Sequence, residues 1–385
     1  MKTSSFLEGM AELGVDFYAG VPDSLLKLLG DAIYEKYGDR GRHVVAANEG
    51  NAVALCAGHY IATGRPGLCY MQNSGIGNAV NPIASLLNDR VYGIPCIFVV
   101  GWRGEPEIKD EPQHAFQGTV TRELLELMDL KVFPLNQDTG EEDFAITLPQ
   151  VKDALAAGKS VAYLVSQGGL SDGPKVRFEC TRTLKREEAL REILRDSTDR
   201  DIYVSTTGKT SREVFELREA LHQDHSHDFL TVGSMGHASM IALGIAMEKP
   251  DFTIWCLDGD GAALMHLGSL AVEARQRVQN LVHVLLNNGA HESVGGMPVS
   301  CGNLSFAPIA QAVGFDRCLI AQTIPQLHSQ LALVRKPGQT GLRFLEILLA
   351  QGSRPDLGRP TLTPKQNLRG LMHTLKNHKQ MELVR

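Results

Sequence analysis

Thr253-Ile254-Trp255-Cys256-Leu257-Asp258-Gly259-Asp260-Gly261 is an apolar run that stops on alternating carboxylates and glycines, and a second run, Leu281 to Leu286, stops on Asn287-Asn288-Gly289. Both are apolar at odd and even positions alike, the pattern of parallel strands buried on two faces. In a parallel sheet, neighbouring strands deliver the loops at their carboxyl ends to one crevice. Asp260 and Asn288 then converge, offering two oxygen donors to a hard cation such as Mg2+ that also holds phosphate oxygens. The glycines let backbone N–H groups approach a diphosphate closely, at the start of a helix expected near Ala262. A lone Gly-Asp-Gly reads as an ordinary turn; the Asn-Asn pair downstream, with 288 − 260 = 28, turns the reading toward a site.

The same schedule of elements runs twice. Phe17 to Val21 reads as a strand entering a turn and a helix, and so does Ile202 to Ser205; Gly58 and Gly244 sit inside helices expected over Asn51 to Ala62 and Ala238 to Met247. The offsets 204 − 18, 244 − 58, 254 − 68 and 281 − 95 all equal 186. A repeated alternation of strands and helices predicts α/β architecture, two doubly wound parallel-sheet domains of similar topology. The join is expected in the Gly- and Pro-broken segment Gln167 to Thr183, which gives a first domain over 1–180 and a second over 181–385 with its tail.

With 43% hydrophobic residues in 385, the chain can bury two cores. A formal charge of −6 without long Lys/Arg runs argues against nucleic-acid and membrane surfaces, so an anionic substrate has to meet a few chosen cations. No apolar stretch approaches the roughly 20 residues of a spanning helix, and a cytoplasmic protein is expected. Seven scattered cysteines without a CxxC pair suggest buried free thiols.

Several motifs carry a bland reading beside a functional one. Thr207-Gly208-Lys209-Thr210 fails as a P-loop because Tyr203 stands where the first glycine belongs, and Gly75-Ile76-Gly77 lacks the third glycine of a dinucleotide fingerprint, Val80 standing there. Glu49, after the strand His43 to Ala47 and before a helix, is either a dipole-favoured cap or a buried acid with work to do. Met235 falls at the repeat-equivalent position, 49 + 186, and is otherwise core filler.

Gly-Asp-Gly with its Asn-Asn partner, preceded by Asn48-Glu49-Gly50, resembles the thiamine-diphosphate enzymes. The resemblance implies that Asp260, Asn288 and the carbonyl of Ala290 bind Mg2+ or another divalent cation, although Asn287 competes with Asn288. It further implies that Gly208, Gly259, Gly261 and Ala262 lie against the diphosphate and that Met235 props the cofactor into a bent shape. Glu49 is implied to hydrogen-bond N1′ of the aminopyrimidine. Over nearly the whole chain the strings Gly20-Val21-Pro22-Asp23-Ser24, Tyr70 to Asn78, Gly101-Trp102-Arg103-Gly104-Glu105-Pro106, Asp110 to His114 and Asn288 to Ser293 are similar to those of phosphonopyruvate decarboxylases. Sulfopyruvate decarboxylases often divide the two domains between subunits. This second resemblance implies decarboxylation of a small anionic 2-oxoacid, with sulfopyruvate or a non-catalytic regulatory role as alternatives. A homodimer or higher homo-oligomer with the cofactor at the subunit interface is expected too. Arg103 is the first candidate for the phosphonate, then Lys109, then Arg354 or Arg359; its bland role is to pair with Glu105 or Glu111. Asp23 and His114 are candidates for proton transfer, with His237 and His291 also near loop ends.

Overall fold

The computed structural model describes residues 1–300, 304–336, 338 and 340–382. The chain divides into two compact units, Met1–Phe178 and Glu179–Arg385.

In the first unit six strands form one parallel sheet: β1 (Tyr18–Gly20), β2 (His43–Val45), β3 (Gly67–Gln72), β4 (Cys96–Gly101), β5 (Lys131–Leu135) and β6 (Val161–Val165), in the order β2-β1-β3-β4-β6-β5. Parallel neighbours require crossovers, and helices supply them on both faces. Cys69, Met71, Phe98 and Val100 point to the face covered by helices Glu49–Thr63 and Pro112–Leu127. Leu68, Tyr70, Ile97 and Val99 point to the other, beneath Thr3–Glu12, Lys27–Tyr37 and Glu141–Ala156. Each fully buried aliphatic side chain of this kind contributes about 1.5–3 kcal/mol, which is why the central strands are apolar throughout.

The second unit contains β7 (Asp201–Ser205), β8 (Asp228–Leu230), β9 (Thr253–Gly259) and β10 (Leu281–Asn287), a short antiparallel hairpin of β11 (Ala290–His291) and β12 (Met297–Pro298), then β13 (Arg317–Ala321) and β14 (Arg343–Leu348). Its sheet runs β13-β14-β10-β9-β7-β8, all parallel. Counted within each sheet, with the hairpin set aside, both orders are 2-1-3-4-6-5. The chain is thus two doubly wound domains of one topology. The 186-residue offset carries Gly67 of β3 to Thr253 of β9 and Lys131 of β5 to Arg317 of β13. The starts differ by 183 at β1/β7 and by 185 at β2/β8 and β4/β10, and most at the last pair, since 343 − 161 is 182: the final two strands start 30 residues apart in the first unit and 26 in the second.

Elements expected from the sequence differ in extent. The helix at the Gly-Asp-Gly turn begins on Asp260 rather than near Ala262, and the helix expected over Asn51 to Ala62 runs Glu49–Thr63.

Candidate active site

In the first unit the polar side chains gather at the carboxyl ends of β1, β3 and β4. Glu49 is the first residue of its helix, but the capping bond belongs to Asn48, whose Oδ1 accepts from the Asn51 N–H at 2.9 Å. The carboxyl of Glu49 is therefore not needed as a cap. It is 5% exposed and accepts from Asn78 Nδ2 at 2.7 Å. Burial pushes its carboxyl up, against the opposing hydrogen bond from Asn78. A Cβ on Gly75 would stand 2.3 Å from Glu49 Oε1, so glycine there is what lets the turn after β3 close over the acid.

Asp23, 2% exposed, accepts from Gln72 Nε2 at 2.6 Å and from the Leu25 N–H at 3.0 Å. Burial raises its carboxyl, opposed by Gln72 and by the nearby Arg103 charge. Gly101, closing β4, is a second close approach: a Cβ would lie 2.2 Å from Asp23 Oδ2. Arg103 follows. Its guanidinium meets Asp110 through two parallel bonds, Nε to Oδ2 at 2.7 Å and Nη2 to Oδ1, and Nη1 donates to Ser24 Oγ at 3.2 Å. The carboxylate partner is thus Asp110, a correction to the expected Glu105 or Glu111; Glu105 accepts instead from Ser166 Oγ at 2.9 Å. Burial pushes Asp110 up, but the guanidinium and the N–H groups of Gly104 and Glu111 outweigh it and hold the carboxyl well below its usual range. Asn73 fixes the Arg103 backbone, donating to its carbonyl at 2.7 Å. Lys109 is exposed on the same loop, with no ion-pair partner among the described residues. His114 is 8% exposed with Nδ1 unpartnered, and burial together with Arg103 lowers its basicity.

In the second unit Asp260 opens the helix after β9. Its Oδ1 accepts from the Gly261 N–H at 2.7 Å and its Oδ2 from the Gly289 N–H, so the loops after β9 and β10 meet on this carboxylate. It is 4% exposed, and burial pushes its carboxyl up to about 6. A buried carboxylate whose burial outweighs its two N–H donors and the charges of Arg182 and Arg186 is the group a cation would repay. Asn288 Oδ1 accepts from the Ala290 N–H at 3.1 Å, while its Nδ2 donates to Glu292 at 2.9 Å. Ala290 stands opposite Pro298 in the hairpin, and Val299 N–H donates to the Gly289 carbonyl beside it, so Ala290 and Pro298 form a non-hydrogen-bonded pair. Asn287 is occupied elsewhere: its Nδ2 donates to Glu346 Oε1 at 2.7 Å and to the Leu304 carbonyl at 3.2 Å, and its Oδ1 accepts from Arg182. A carboxylate, an amide oxygen and a backbone carbonyl make a hard, all-oxygen donor set that fits Mg2+.

Gly208, with φ of 90°, caps the helix Lys209–Ala220, and no atom lies within 4 Å of the place its Cβ would take. Lys209 lies 3.6 Å from Glu292 Oε1. Met235 sits half-buried between Ser234 and Gly236, both with positive φ. His291 is turned against Gly261, and burial pushes its ring down to about 4; His237 is exposed, its ring 4.5 Å from that of His266. Arg354 is paired with Glu187, Glu216 and Asp356.

Sequence reading missed Asp110, Asn78, Gln72 and Glu292 as partners of the chosen residues. All four lie inside the family-like strings, yet nothing in the sequence gives them a role; Glu292 is marked solely by its position four residues after Asn288.

The thiamine pyrophosphate enzyme N-terminal TPP binding domain matches residues 3–125 and the corresponding C-terminal TPP binding domain matches 206–346, so the fold is that of a thiamine pyrophosphate enzyme. The chain is 34% identical to phosphonopyruvate decarboxylase of Streptomyces hygroscopicus, across 95% of this chain and 92% of that one. It is 33% identical to phosphonopyruvate decarboxylase of Streptomyces viridochromogenes, across 94% and 92%. Sulfopyruvate decarboxylase of Methanosarcina acetivorans is more distant, 28% identical across 75% and 76%. The chain belongs to the phosphonopyruvate decarboxylase family of thiamine-dependent carboxy-lyases.

Proposed function

We propose that this chain decarboxylates 3-phosphonopyruvate to phosphonoacetaldehyde and carbon dioxide, within phosphonate biosynthesis, using thiamine diphosphate held through Mg2+. The observation that carries the reading is the joint presence of a buried Glu49 acid and the Asp260, Asn288 and Ala290 oxygen set in a chain that aligns from end to end with phosphonopyruvate decarboxylases. When bound, the cofactor supplies the electron sink that receives the pair left by departing carbon dioxide. Everything else falls to the protein. Glu49 would share a proton with N1′ of the aminopyrimidine, and its burial favours the protonated acid needed there. Asp260, Asn288 and the Ala290 carbonyl would hold the cation; Gly208, Gly259, Gly261 and Ala262 would face the diphosphate, and Met235 the bend between the rings. The internal bonding of Asn287 supports Asn288 as the amide ligand. Asp23, buried and raised, is suited to delivering a proton to product, with His114 as its alternate.

For the substrate, Asp110 fixes the plane of Arg103 and neutralises its charge, leaving the Nη1 edge toward Ser24 to meet an anion and Lys109 to provide the loop's uncompensated charge. Arg103→Leu is expected to raise KM for phosphonopyruvate and lower kcat/KM by roughly 10²-fold, the cost of losing a charge-assisted pair in a partly dry site. Weak turnover of pyruvate, which lacks the phosphonate, should change little. Equal loss of both activities assigns Arg103 to loop support.

The cofactor's two ends fall to residues of different units, and we infer a homodimer or higher homo-oligomer in which one cofactor is shared between subunits. The exposed face of helix Glu49–Thr63 supports this: Ile61 is 74% and Leu55 37% exposed around Gly58, an apolar strip suited to a second chain. Free thiols at all six described cysteines support a reducing, cytoplasmic setting. No described helix is long and apolar enough to cross a membrane.

Steady-state assays with phosphonopyruvate, sulfopyruvate and pyruvate test the function. The expected result is the highest kcat/KM with phosphonopyruvate. A preference for sulfopyruvate reassigns the pocket to a sulfonate, and cofactor binding without turnover of any of the three points to a non-catalytic role.

A further inference from the structure

Beneath the Gly-Asp-Gly turn lie four ionisable side chains that the decarboxylation does not use. β9 and β10 run side by side with Cys256 opposite His283, and Asp258, two residues along β9, shares the face of Cys256. Cys256 and Glu273 are 0% exposed, Asp258 and His283 1%. They sit among apolar neighbours such as Ile254, Leu285, Phe306 and Phe344.

Their bonding is one-sided. Glu273, on helix Ser269–Gln276, holds His283 Nδ1 at 3.0 Å, which orients the ring. His283 Nε2 has no hydrogen-bond partner; the nearest acidic oxygen, Asp258 Oδ2, is 3.7 Å away, too far for a bond. Asp258 Oδ1 accepts from the Gly259 N–H at 2.9 Å, and the Thr206 side chain also bonds this carboxylate, whose Oδ2 is the oxygen nearest the ring. One donor atom each from Cys256, Asp258 and His283 lies within 4.8 Å of the others. A tetrahedral zinc with bonds of about 2.0–2.3 Å keeps its donors about 3.3–3.8 Å apart, so the Asp258–His283 separation already suits one ion.

We propose that Cys256, Asp258 and His283 form a second metal site, distinct from the all-oxygen set at Asp260, and that it takes zinc. Sulfur, imidazole nitrogen and a single carboxylate oxygen are a borderline-soft donor set that favours zinc over Mg2+. Glu273 completes the carboxylate–histidine–metal arrangement, fixing the proton on Nδ1 and directing the Nε2 lone pair to the ion. Without metal, Nε2 is a polar atom buried and unsatisfied. Burial pushes the Cys256 thiol well above its ordinary value, so the thiolate forms only as metal binds, with the proton released to solvent. Three protein donors leave the fourth corner to a water. The ion would join β9 to β10 directly below the loops that carry Asp260 and Asn288.

The test uses the full chain with Mg2+ and thiamine diphosphate present, produced once in zinc-containing medium and once with cobalt(II) in place of zinc. Elemental analysis should find one zinc per chain after EDTA has stripped the Mg2+. The cobalt protein should show a near-ultraviolet thiolate-to-cobalt charge-transfer band that disappears in Cys256→Ser and survives in Asp260→Ala. If Cys256→Ser does not fold, X-ray absorption at the zinc edge of the unaltered protein decides, one sulfur with nitrogen and oxygen neighbours being expected. A chain without zinc and without the cobalt band, a band that survives Cys256→Ser, or a zinc with no sulfur neighbour overturns the site and leaves a metal-free Glu273–His283–Asp258 cluster.

Discussion

Glu49→Gln is expected to leave the fold and cofactor affinity nearly intact while lowering kcat by about 10²–10⁴-fold, the range associated with removing a positioned acid–base group. Three observations make the variant informative. The side chain is not the helix cap, because Asn48 makes that bond, so the substitution does not remove a local stabiliser. The amide keeps the volume and can still meet Asn78, so packing against Gly75 is preserved. What it loses is the acidic proton, whose retention on the carboxyl burial favours. Exchange of the cofactor's C2 proton, followed by NMR after acid quench, should slow in parallel with kcat, while KM for phosphonopyruvate stays close to its starting value. Exchange at the unaltered rate would show that Glu49 does not activate the cofactor, whatever its effect on turnover.

How much of the molecule was legible in the sequence depends on the physics of each signal. Strands buried on both faces write themselves as unbroken apolar runs, and a duplicated schedule nearly keeps its spacing; hence the topology was readable, with the 186-residue offset held at β3/β9 and β5/β13 and departures of one to four residues at the other strand pairs, the largest before β14. Site residues at strand ends were readable for the same reason, since doubly wound sheets put their loops in one crevice. Partners across loops were not. Arg103 reaches Asp110 because Gly104 and Glu107 take positive φ and fold the loop back, and no periodicity announces a left-handed glutamate. The choice between Asn287 and Asn288 was closed to sequence because it depends on which side of the last strand residue faces Glu346, and Asp258 and His283 passed as members of apolar strands although their side chains form a buried polar cluster.

Asp260→Ala is expected to weaken binding of thiamine diphosphate by at least about 10²-fold, since even residues one layer behind a metal ligand are typically worth 10–100-fold in affinity. Excess Mg2+ should recover part of the loss, because the phosphates and the remaining oxygen donors still bind the ion. The folded chain itself should not suffer: Asp260 is a buried carboxylate pushed up to about 6, a strained charge without its cation, and removing it leaves only the Gly261 and Gly289 N–H groups to find other acceptors. Thermal stability measured without metal or cofactor is therefore expected to be unchanged or slightly higher, whereas the stabilisation that Mg2+ and thiamine diphosphate give the unaltered chain should nearly vanish. Asn288→Ala should follow the same pattern more weakly. Asn287→Ala should do the reverse, losing stability with or without cofactor, because its amide is bonded to Glu346 and the Leu304 carbonyl inside the unit. Cofactor titration followed by tryptophan fluorescence, with melting curves for each variant at several Mg2+ concentrations, separates the cases. If Asp260→Ala binds cofactor with unaltered affinity and metal dependence, the cation is held elsewhere and the carboxylate serves only to join the two loops.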